Sequence, residues 1–269
     1  MEIIPVAPQV RRLGPVNWLG LWTLTAKEVR RFLKVYFQTV IAPVVTTMLF
    51  LAIFALAMGG RGQTLVGGVP YEQFLAPGLV MMAMTQNAFA NTSSSLLIAK
   101  VQGNIVDLLM PPLSPLEQTV AVSLGGMVRG LLVGMAVIAA MVFVVPLHVE
   151  SLPLILFHAV AASLLLALLG MIGGIWAEKF DHMAAVTNFV VTPLSFLSGT
   201  FYSVERLPAF VRHLAKIDPF FYMIDGFRAG FIGHADGSLA IGVWVMVLCN
   251  LALFALGYRM FKTGYKLKA

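Results

Sequence analysis

Six long apolar stretches, separated by short polar breaks, dominate the pattern of the chain. They lie near residues 37–58, 74–97, 119–147, 152–176, 183–203 and 239–261. At 1.5 Å per residue, each stretch is long enough for a helix that crosses the roughly 30 Å hydrocarbon core of a bilayer. Backbone groups in that core must be hydrogen-bonded inside their own segment. The pattern therefore predicts an all-α, integral membrane six-helix bundle that comprises the whole chain, 1–269, as a single transmembrane domain.

Two further segments carry different patterns. Before the first stretch, apolar residues recur at helical spacing while most basic residues lie off that stripe, which predicts an N-terminal amphipathic interfacial helix. The apolar residues are Trp18, Leu21, Trp22, Val29, Phe32 and Tyr36, and the basic ones are Lys27, Arg30, Arg31 and Lys34. After the fifth stretch, residues 204–236 are rich in charge, and the aromatic-rich piece within them, 219–231, is too short to cross a membrane.

Composition agrees with a membrane protein. Apolar residues make up 59% of the chain and charged residues 11%, with a mean hydropathy of +0.89, whereas a soluble domain carries about 25% charged residues. The formal net charge is +6, but the basic residues are scattered over membrane-flanking segments. We therefore expect contact with membrane lipid and no nucleic acid binding.

Basic residues near the span ends predict the orientation. With an even number of spans both termini share one side, and that side holds Arg11, Arg12, Lys27, Arg30, Arg31, Lys34, Lys100, Lys179, Arg259, Lys262, Lys266 and Lys268. The opposite side holds Arg61, Arg206, Arg212, Lys216 and Arg228. We expect both termini and residues 100–110 to be cytoplasmic, and residues 61–70 and 204–236 to face outside. Arg129 falls in the third stretch, where it either is functional or snorkels to the cytoplasmic interface.

Several chemistries are disfavoured by the residues themselves. All 12 acidic residues lie outside the centres of the spans, so a carboxylate relay for ion-coupled transport is missing, and His158 is expected to be interfacial. Ser198 lacks a base within the membrane, and no group of His, Cys, Asp or Glu has metal-ligand spacing. The sequence contains no Gly-Lys dipeptide and hence no phosphate-binding loop. We predict no catalytic residues and no metal site, and any motor must be another chain.

Local strings then indicate a family. In chain order they are KEVRRF (27–32), QT (38–39), GNIVDLLMPP (103–112), LSGTFYS (197–203), LP (207–208), DP (218–219) and YMIDGFR (222–228). Together they cover nearly the whole chain and resemble the ABC type 2 permeases. The resemblance implies the permease subunit of an ATP-binding cassette exporter in the bacterial inner membrane. It further implies a homodimer on two ABC ATPase subunits, which bind ATP and Mg²⁺, so that this chain binds no cofactor and is not an enzyme.

The same resemblance assigns a coupling segment. The family's cytoplasmic coupling helix lies between the second and third spans, which corresponds to residues 100–110, and an apolar face there ends at Pro111-Pro112. The residues that this assigns to ATPase coupling are Lys100, Val101, Gly103, Asn104, Ile105, Asp107 and Leu108. Without the resemblance, the segment is typical of an ordinary interfacial loop helix. The resemblance also implies external re-entrant helices within 207–233, although Ser203 stands where the family often has Pro.

A polar stripe predicts the translocation path. Its members on the fifth span are spaced four, three, four and three residues apart, which places them on one helix face. They are Asn188, Thr192, Ser195, Gly199 and Tyr202, with Asn87 and Asn91 as companions on the second span. The family's fifth span lies near the dimer axis, so Trp at Thr192 or Ser195 should block transport without loss of assembly. The alternative is that the stripes hold helices together.

A competing function is that of a motor-independent channel-like or structural membrane protein. An ATPase that purifies with the chain would distinguish the exporter from this alternative. The residues do not select a substrate among drug-like amphiphiles, glycans and lipids.

Overall fold

The computed structural model of the protein describes residues 14–59, 65–66 and 68–267. Its helices are α1 (Trp18–Leu33), α2 (Ala42–Gly59), α3 (Tyr71–Val101), α4 (Val106–Leu109), α5 (Pro115–Met141), α6 (Leu152–Trp176), α7 (Phe180–Val186), α8 (Thr192–Leu197), α9 (Ala209–Ile217), α10 (Pro219–Ile232) and α11 (Leu239–Thr263). π-Helical turns at Phe37–Ile41 and Thr187–Val191 lead into α2 and α8. A 3-10 turn, Val204–Arg206, follows α8, and strands β1 (Leu65–Val66) and β2 (Val69–Pro70) form a small antiparallel hairpin. The all-α prediction is confirmed apart from this hairpin.

Local chemistry explains where helices begin. Ser114 caps α5 in a capping box with Glu117, and Pro115 occupies the first turn, where a missing N–H costs nothing. The Asp218 side chain accepts a hydrogen bond from the Phe220 N–H and so caps α10. These caps fix the ends of helices that meet at the surface of the bundle.

The central helix is α3, which packs most extensively against α5 and α6. Small residues permit this approach, because a Cβ on Gly126 of α5 would lie 3.1 Å from the Ala88 carbonyl oxygen, and one on Gly174 of α6 would lie 2.9 Å from that of Ser93. Close backbone approach is a common way for helices to associate where lipid supplies no hydrophobic drive. Replacing either glycine would therefore force α3 away from its neighbours.

Within the described part of the chain, four helices are long and apolar enough to cross a membrane by length and composition: Phe37–Ala57, Pro115–Met141, Leu152–Trp176 and Leu239–Thr263. They match the predicted spans 37–58, 119–147, 152–176 and 239–261, although the third ends at Met141. The predicted span 74–97 lies within α3, whose polar residues lower its hydropathy. The predicted span 183–203 is wrong in its end, because the helix stops at Leu197 and Gly199 follows in the left-handed region with φ +83. That α3 and the α7 to α8 segment cross the membrane stays a prediction.

The bundle has two ends. The α4 end comprises α1, α4 and the C-terminal ends of α3, α6 and α11, and is joined by contacts such as Lys266 Nζ to Glu178 Oε1 at 2.8 Å. The α10 end comprises the hairpin, α9 and α10, and there Tyr71 Oη donates to the Phe201 carbonyl at 2.9 Å. Residues 60–62 of the predicted break at 59–62 lie outside the described residues, as do residues 61–64 and 67 of segment 61–70 and Arg11, Arg12 and Lys268.

The N-terminal helix has the predicted amphipathic character with a different buried face. Leu24, Thr25, Glu28 and Phe32 face the bundle, mainly α5, whereas Trp18 is 73% exposed. The apolar stripe therefore divides between a packed part and an uncovered part. An interfacial location in the membrane stays a prediction.

Candidate functional site

Two open clefts flank α3. The α8 cleft, of about 420 Å³, lies between α3 and the α7 to α8 segment and is lined by Gln86, Asn87, Phe89, Ala90, Ser93, Ser94, Leu97, Phe180, Met183, Thr187, Val191 and Thr192. The α2 cleft, of about 290 Å³, is lined by Gln38, Ala42, Pro43, Thr46, Thr47, Phe50, Leu79, Met82, Ala83, Gln86 and Asn87. Because Gln86 and Asn87 line both, the two clefts meet at this point of α3.

A break in the helix shapes one wall of the α8 cleft. Pro193 lies in the first turn of α8 and has no N–H to donate to the preceding turn. The chain passes this position through the π-helical turn Thr187–Val191. Side chains before and after the π turn therefore do not keep the register of one α-helical face.

The structure divides the predicted stripe of the fifth span. Thr192 lines the α8 cleft, Asn188 is exposed, and Ser195 is only 1% exposed, with its hydroxyl bonded to the Val191 carbonyl at 2.8 Å. Gly199 and Tyr202 lie beyond the helix end, and Tyr202 Oη donates to the Leu197 carbonyl at 3.1 Å. The prediction of a single helix face from 188 to 202 is therefore wrong.

The companion stripe on α3 is divided as well. Asn87 lines both clefts, whereas Asn91 is fully buried. Together Asn87 and Thr192 bring the two predicted stripes to one cleft. The sequence did not single out Gln86, which lies next to Asn87 and lines the same two clefts.

Behind the α3 wall lies a polar network that joins three helices. Arg31 of α1 donates to the Asn91 carbonyl at 2.6 Å and to Ser94 Oγ at 3.3 Å, and it pairs with Glu28 at 3.4 Å. Arg129 of α5 donates to Asn87 Oδ1 at 2.9 Å. Arg129 therefore contacts a residue of the cleft wall, which favours the functional alternative that the sequence left open.

The predicted coupling segment has an unexpected orientation. Only Val106–Leu109 is a separate helix, and Ile105 and Leu108 are 7% and 5% exposed within an apolar cluster that includes Leu24 and Met260. The exposed residues are Val101, Gln102, Gly103, Asn104, Val106, Asp107 and Met110. Ile105 and Leu108 thus stabilise the permease itself, and sequence reasoning missed Val106 and Met110 as its accessible apolar residues.

Lys100, another predicted coupling residue, has a structural contact. Its ammonium group donates to the Ile175 and Ala177 carbonyls, at 2.6 Å each, and so caps the C-terminal end of α6. Burial lowers the pKa of this ammonium, while the charge of Glu178 raises it and that of Lys266 lowers it. The Lys100 side chain therefore binds the end of α6 within the permease itself.

The family strings near the α10 end form a second network. The buried Arg228 donates to the Phe74 carbonyl at 3.1 Å and to the Gly199 carbonyl at 2.7 Å, with its guanidinium 3.8 Å from the centre of the Phe74 ring. Asp225 accepts from the N–H groups of Asp236 and Gly237. These contacts hold α10, the turn after α8 and the start of α3 together.

Two further sequence expectations concern the same region, and the interfacial location of His158 stays a prediction. His158 is fully buried, its Nδ1 is 2.9 Å from the Leu154 carbonyl oxygen, and its ring packs against Gly226 of α10. Glu205, His234 and Asp236, which are remote in sequence, place potential ligand atoms within 4.8 Å of one another. Asp236 already accepts from Ser203 Oγ and the Val204 N–H, so loop closure accounts for its position.

Comparison with known proteins identifies what the chain resembles. The family model described as ABC-2 type transporter matches residues 20–232. The chain is 38% identical to the inner membrane transport permease YadH of Escherichia coli K12, over 94% of this chain and 98% of that protein. It is 24% identical to nodulation protein J of Rhizobium leguminosarum bv. viciae, over 87% and 90%, and 26% identical to nodulation protein J of Rhizobium meliloti, over 88% of each chain.

Proposed function

Because the chain belongs to the ABC-2 type transporter family, and so is a transmembrane subunit of a transporter of the bacterial inner membrane, we propose that it is the permease of an ATP-driven exporter. In this proposal two copies of the chain form the translocation path. Two copies of a separate ATPase subunit bind ATP and Mg²⁺ and supply the energy. The chain itself then hydrolyses no ATP.

The observation that carries the proposal is the polar lining of a cleft that one copy leaves open. Gln86, Asn87 and Thr192 face this cleft, and lipid does not favour such groups. Uncovered apolar residues are present on α2 and on the π-helical turn before α8, such as Leu56 at 80% and Phe189 at 82% exposure. A second copy packed on α2 and α8 would cover the apolar residues and enclose the polar lining.

The distribution of charge supports the orientation that the proposal needs. The described basic residues at the α4 end include Lys27, Arg30, Lys179, Arg259 and Lys262. Cytoplasmic loops carry such an excess of Lys and Arg. We therefore propose that the α4 end is cytoplasmic, that six segments cross the membrane, and that α9 and α10 form the external re-entrant helices.

The ATPase would then dock on the exposed residues that follow α3. Val106 and Met110 are 50% and 77% exposed, and Asn104 and Asp107 lie between or beside them. An apolar pair flanked by polar groups fits the small anchors and polar rim of a protein interface. The coupling role thus moves from Ile105 and Leu108 to the opposite face of the segment.

Crosslinking between copies tests the homodimer. In a Cys249→Ala background, a bismaleimide should join two chains that carry Asn188→Cys or Phe189→Cys. The matched control is Trp244→Cys on α11, which is 66% exposed, comparable with Phe189, but lies on a helix that packs against α5, α6 and α10. The arrangement would be contradicted if Trp244→Cys alone gave crosslinked dimers, or if none of the three variants did.

Isolation of the assembled transporter tests the motor. The full chain purified with its ATPase should hydrolyse ATP, whereas the chain freed of the ATPase should not. Retention of transport without any ATPase would favour the motor-independent channel instead.

A further inference from the structure

Two guanidinium groups lie directly behind the wall of the α8 cleft. Arg129 donates to Asn87 Oδ1 at 2.9 Å, and Arg31 donates to Ser94 Oγ at 3.3 Å. Asn87 and Ser94 both line the cleft. They are seven residues apart on α3, which places them on the same face two turns from each other. The guanidinium groups of Arg129 and Arg31 therefore lie behind the α3 wall of the cleft, at two positions along the helix.

The positive charge of this cluster exceeds its negative charge. Glu28 is the one carboxylate of the network, and its two oxygens face Arg31 at 3.4 Å and Ser95 Oγ at 2.8 Å. Among residues 14–59, 65–66 and 68–267, Arg129 has no carboxylate within ion-pair distance. A cation held within an apolar helix bundle is costly unless a counter-charge approaches it. One positive charge thus remains to be balanced.

Several buried N–H donors of this network have no hydrogen-bond acceptor in the described part of the chain. Arg31 Nε, Arg129 Nε and Asn91 Nδ2 are buried and have no hydrogen-bond acceptor among the described residues, and Asn91 is fully buried. A guanidinium can only donate, so Arg129 fixes the Asn87 amide with its oxygen turned toward α5. Asn87 Nδ2 uses one N–H for the Ala83 carbonyl at 2.9 Å, which leaves its second N–H for a ligand. Glu28 Oε2 is likewise a buried acceptor without a hydrogen-bond donor among the described residues, so the group with free donor capacity at the cleft itself is Asn87. An anion beside Arg129 would accept from it.

The rest of the cleft suits an alkyl chain. Phe89, Leu97, Met183 and Val191 are among its lining residues. A volume of about 420 Å³ falls within the usual range of small-molecule sites. The cleft therefore combines an apolar wall with an electropositive polar wall.

We propose that the α8 cleft binds amphiphilic cargo through an anionic head group, a phosphate or a carboxylate, for which Arg129 and Arg31 act as counter-charges. The head group accepts from the free Asn87 N–H at the polar wall, beside Arg129, and the alkyl part packs on the apolar wall. This inference rests on the proposed function, since it names the substrate class of the same path.

Binding to the purified full-length chain, without the ATPase, tests the inference separately from transport. The protein in an uncharged maltoside detergent is titrated with dodecyl phosphate, dodecylphosphocholine and dodecyltrimethylammonium, which share one alkyl chain. We expect the phosphate to bind at least about tenfold more tightly than the cation. Equal binding of the three, or a preference for the cation, would overturn the inference even if every variant failed to fold.

Variants locate the effect. Arg129→Gln should abolish the preference for dodecyl phosphate, Arg129→Lys should keep most of it, and Arg259→Gln on α11 is the control for a general loss of charge. Equal losses in Arg129→Gln and Arg259→Gln would contradict the assignment.

Inorganic phosphate should not displace dodecyl phosphate, and displacement at matched concentration would identify a free-anion site and overturn the amphiphile class. Dodecyl phosphate binding by a chain whose purified complex hydrolyses no ATP would contradict the exporter and leave the binding site standing.

Discussion

Asp218 is a buried carboxyl group that joins the turn after α8 to the start of α10. Its Oδ1 accepts from the Phe220 N–H at 2.9 Å, and its Oδ2 lies 2.7 Å from Ser198 Oγ. The single hydroxyl hydrogen of Ser198 also has the Leu194 carbonyl within reach, at 2.5 Å, and it can serve only one acceptor at a time. Burial raises the pKa of Asp218, although the two hydrogen bonds lower it in part. Burial and the shared Ser198 hydrogen therefore disfavour the ionised form of Asp218.

We predict that Asp218→Asn is neutral or stabilising at neutral pH. The amide oxygen keeps the cap on α10, and the amide N–H supplies the hydrogen that Ser198 lacks. A raised pKa in the folded state means that the folded protein binds the proton more tightly than the unfolded chain. The free energy of unfolding of the wild type thus falls as the pH rises from about 3.9 through the folded pKa.

Thermal melting at a series of pH values checks this prediction. The advantage of Asp218→Asn over the wild type should shrink as the pH approaches 4, because the wild-type carboxyl is then protonated. Asp218→Ala, which loses the cap, should be less stable than Asp218→Asn by about 1 kcal/mol. A melting difference between wild type and Asp218→Asn that grows toward acid would contradict the assignment.

Single residues also show where sequence reasoning ends. The 100–110 segment could be predicted as short and polar-flanked, but hydropathy does not state which side of a short helix faces its own bundle. Ile105 and Leu108 pack on α1 and α11 residues such as Leu24 and Met260, and Lys100 caps a helix 75 residues away. These partners are remote in sequence, so only the folded arrangement assigns the roles.

At the scale of elements, the broken α7 to α8 segment separates two substitutions that the sequence treats alike. Thr192 lines the α8 cleft, whereas Ser195 is 1% exposed behind it. We expect Thr192→Trp to fill the cleft and block transport while assembly and basal ATP hydrolysis persist. Ser195→Trp must instead displace packed helices, so it should reduce the amount of folded complex.

Size-exclusion chromatography, ATP hydrolysis and transport distinguish these outcomes. Thr192→Ser is the control for the loss of the threonine methyl group without added bulk, and it should transport normally. Full transport by Thr192→Trp would remove α8 from the path. Normal assembly of Ser195→Trp would show that the buried position relaxes more than its packing suggests.

Helices were more predictable than their interruptions. Length and hydropathy define the apolar helices well, because lipid leaves a backbone few alternatives. The π turn before Pro193 and the stop at Leu197 depend on backbone contacts that hydropathy does not contain. The predicted path residues Gly199 and Tyr202 were therefore placed on a helix that does not extend to them, and Gln86 was passed over although it lines both clefts.

The exposed residues of the 100–110 segment provide the next prediction. Met110 and Ile217 are each 77% exposed, but they lie at opposite ends of the bundle. Met110→Asp should weaken ATPase association at least about tenfold, because a carboxylate would be buried without a partner at the interface. Ile217→Asp makes the same chemical change away from the ATPase and should leave association intact.

Co-purification with the ATPase measures this difference, and melting of the permease alone verifies that both variants fold. By contrast, Leu108→Ala should destabilise the permease by about 2–4 kcal/mol, because Leu108 belongs to its core. Unchanged association of Met110→Asp together with Val106→Asp would move the docking surface elsewhere.

At the scale of the whole molecule, one polar network lies near the middle of α3 and α5 and a second lies at the α10 end. Arg31 and Arg129 lie on the α4 side of the cleft wall and connect α1, α3 and α5. Arg228 and Asp225 tie α10 to the turn after α8 and to the start of α11. Asn250 of α11 also donates to the Ala161 carbonyl of α6 at 3.0 Å, so polar links between helices are not confined to these two networks.

The orientation of the α4 and α10 ends in the membrane is the last prediction. The chain has one cysteine, Cys249, so Cys249→Ala gives a background in which a single thiol can be introduced. Lys266→Cys places it at the α4 end and Ile217→Cys at the α10 end. If the excess of Lys and Arg keeps the α4 end in the cytoplasm, a membrane-impermeant maleimide should label Ile217→Cys in intact cells and Lys266→Cys only after the membrane is opened. Replacing Lys266 removes an ion pair with Glu178 at the protein surface, and such solvent-screened pairs contribute little to stability, so folding should persist. Labelling of position 266 in intact cells would reverse the orientation and place the proposed ATPase surface on the wrong side of the membrane.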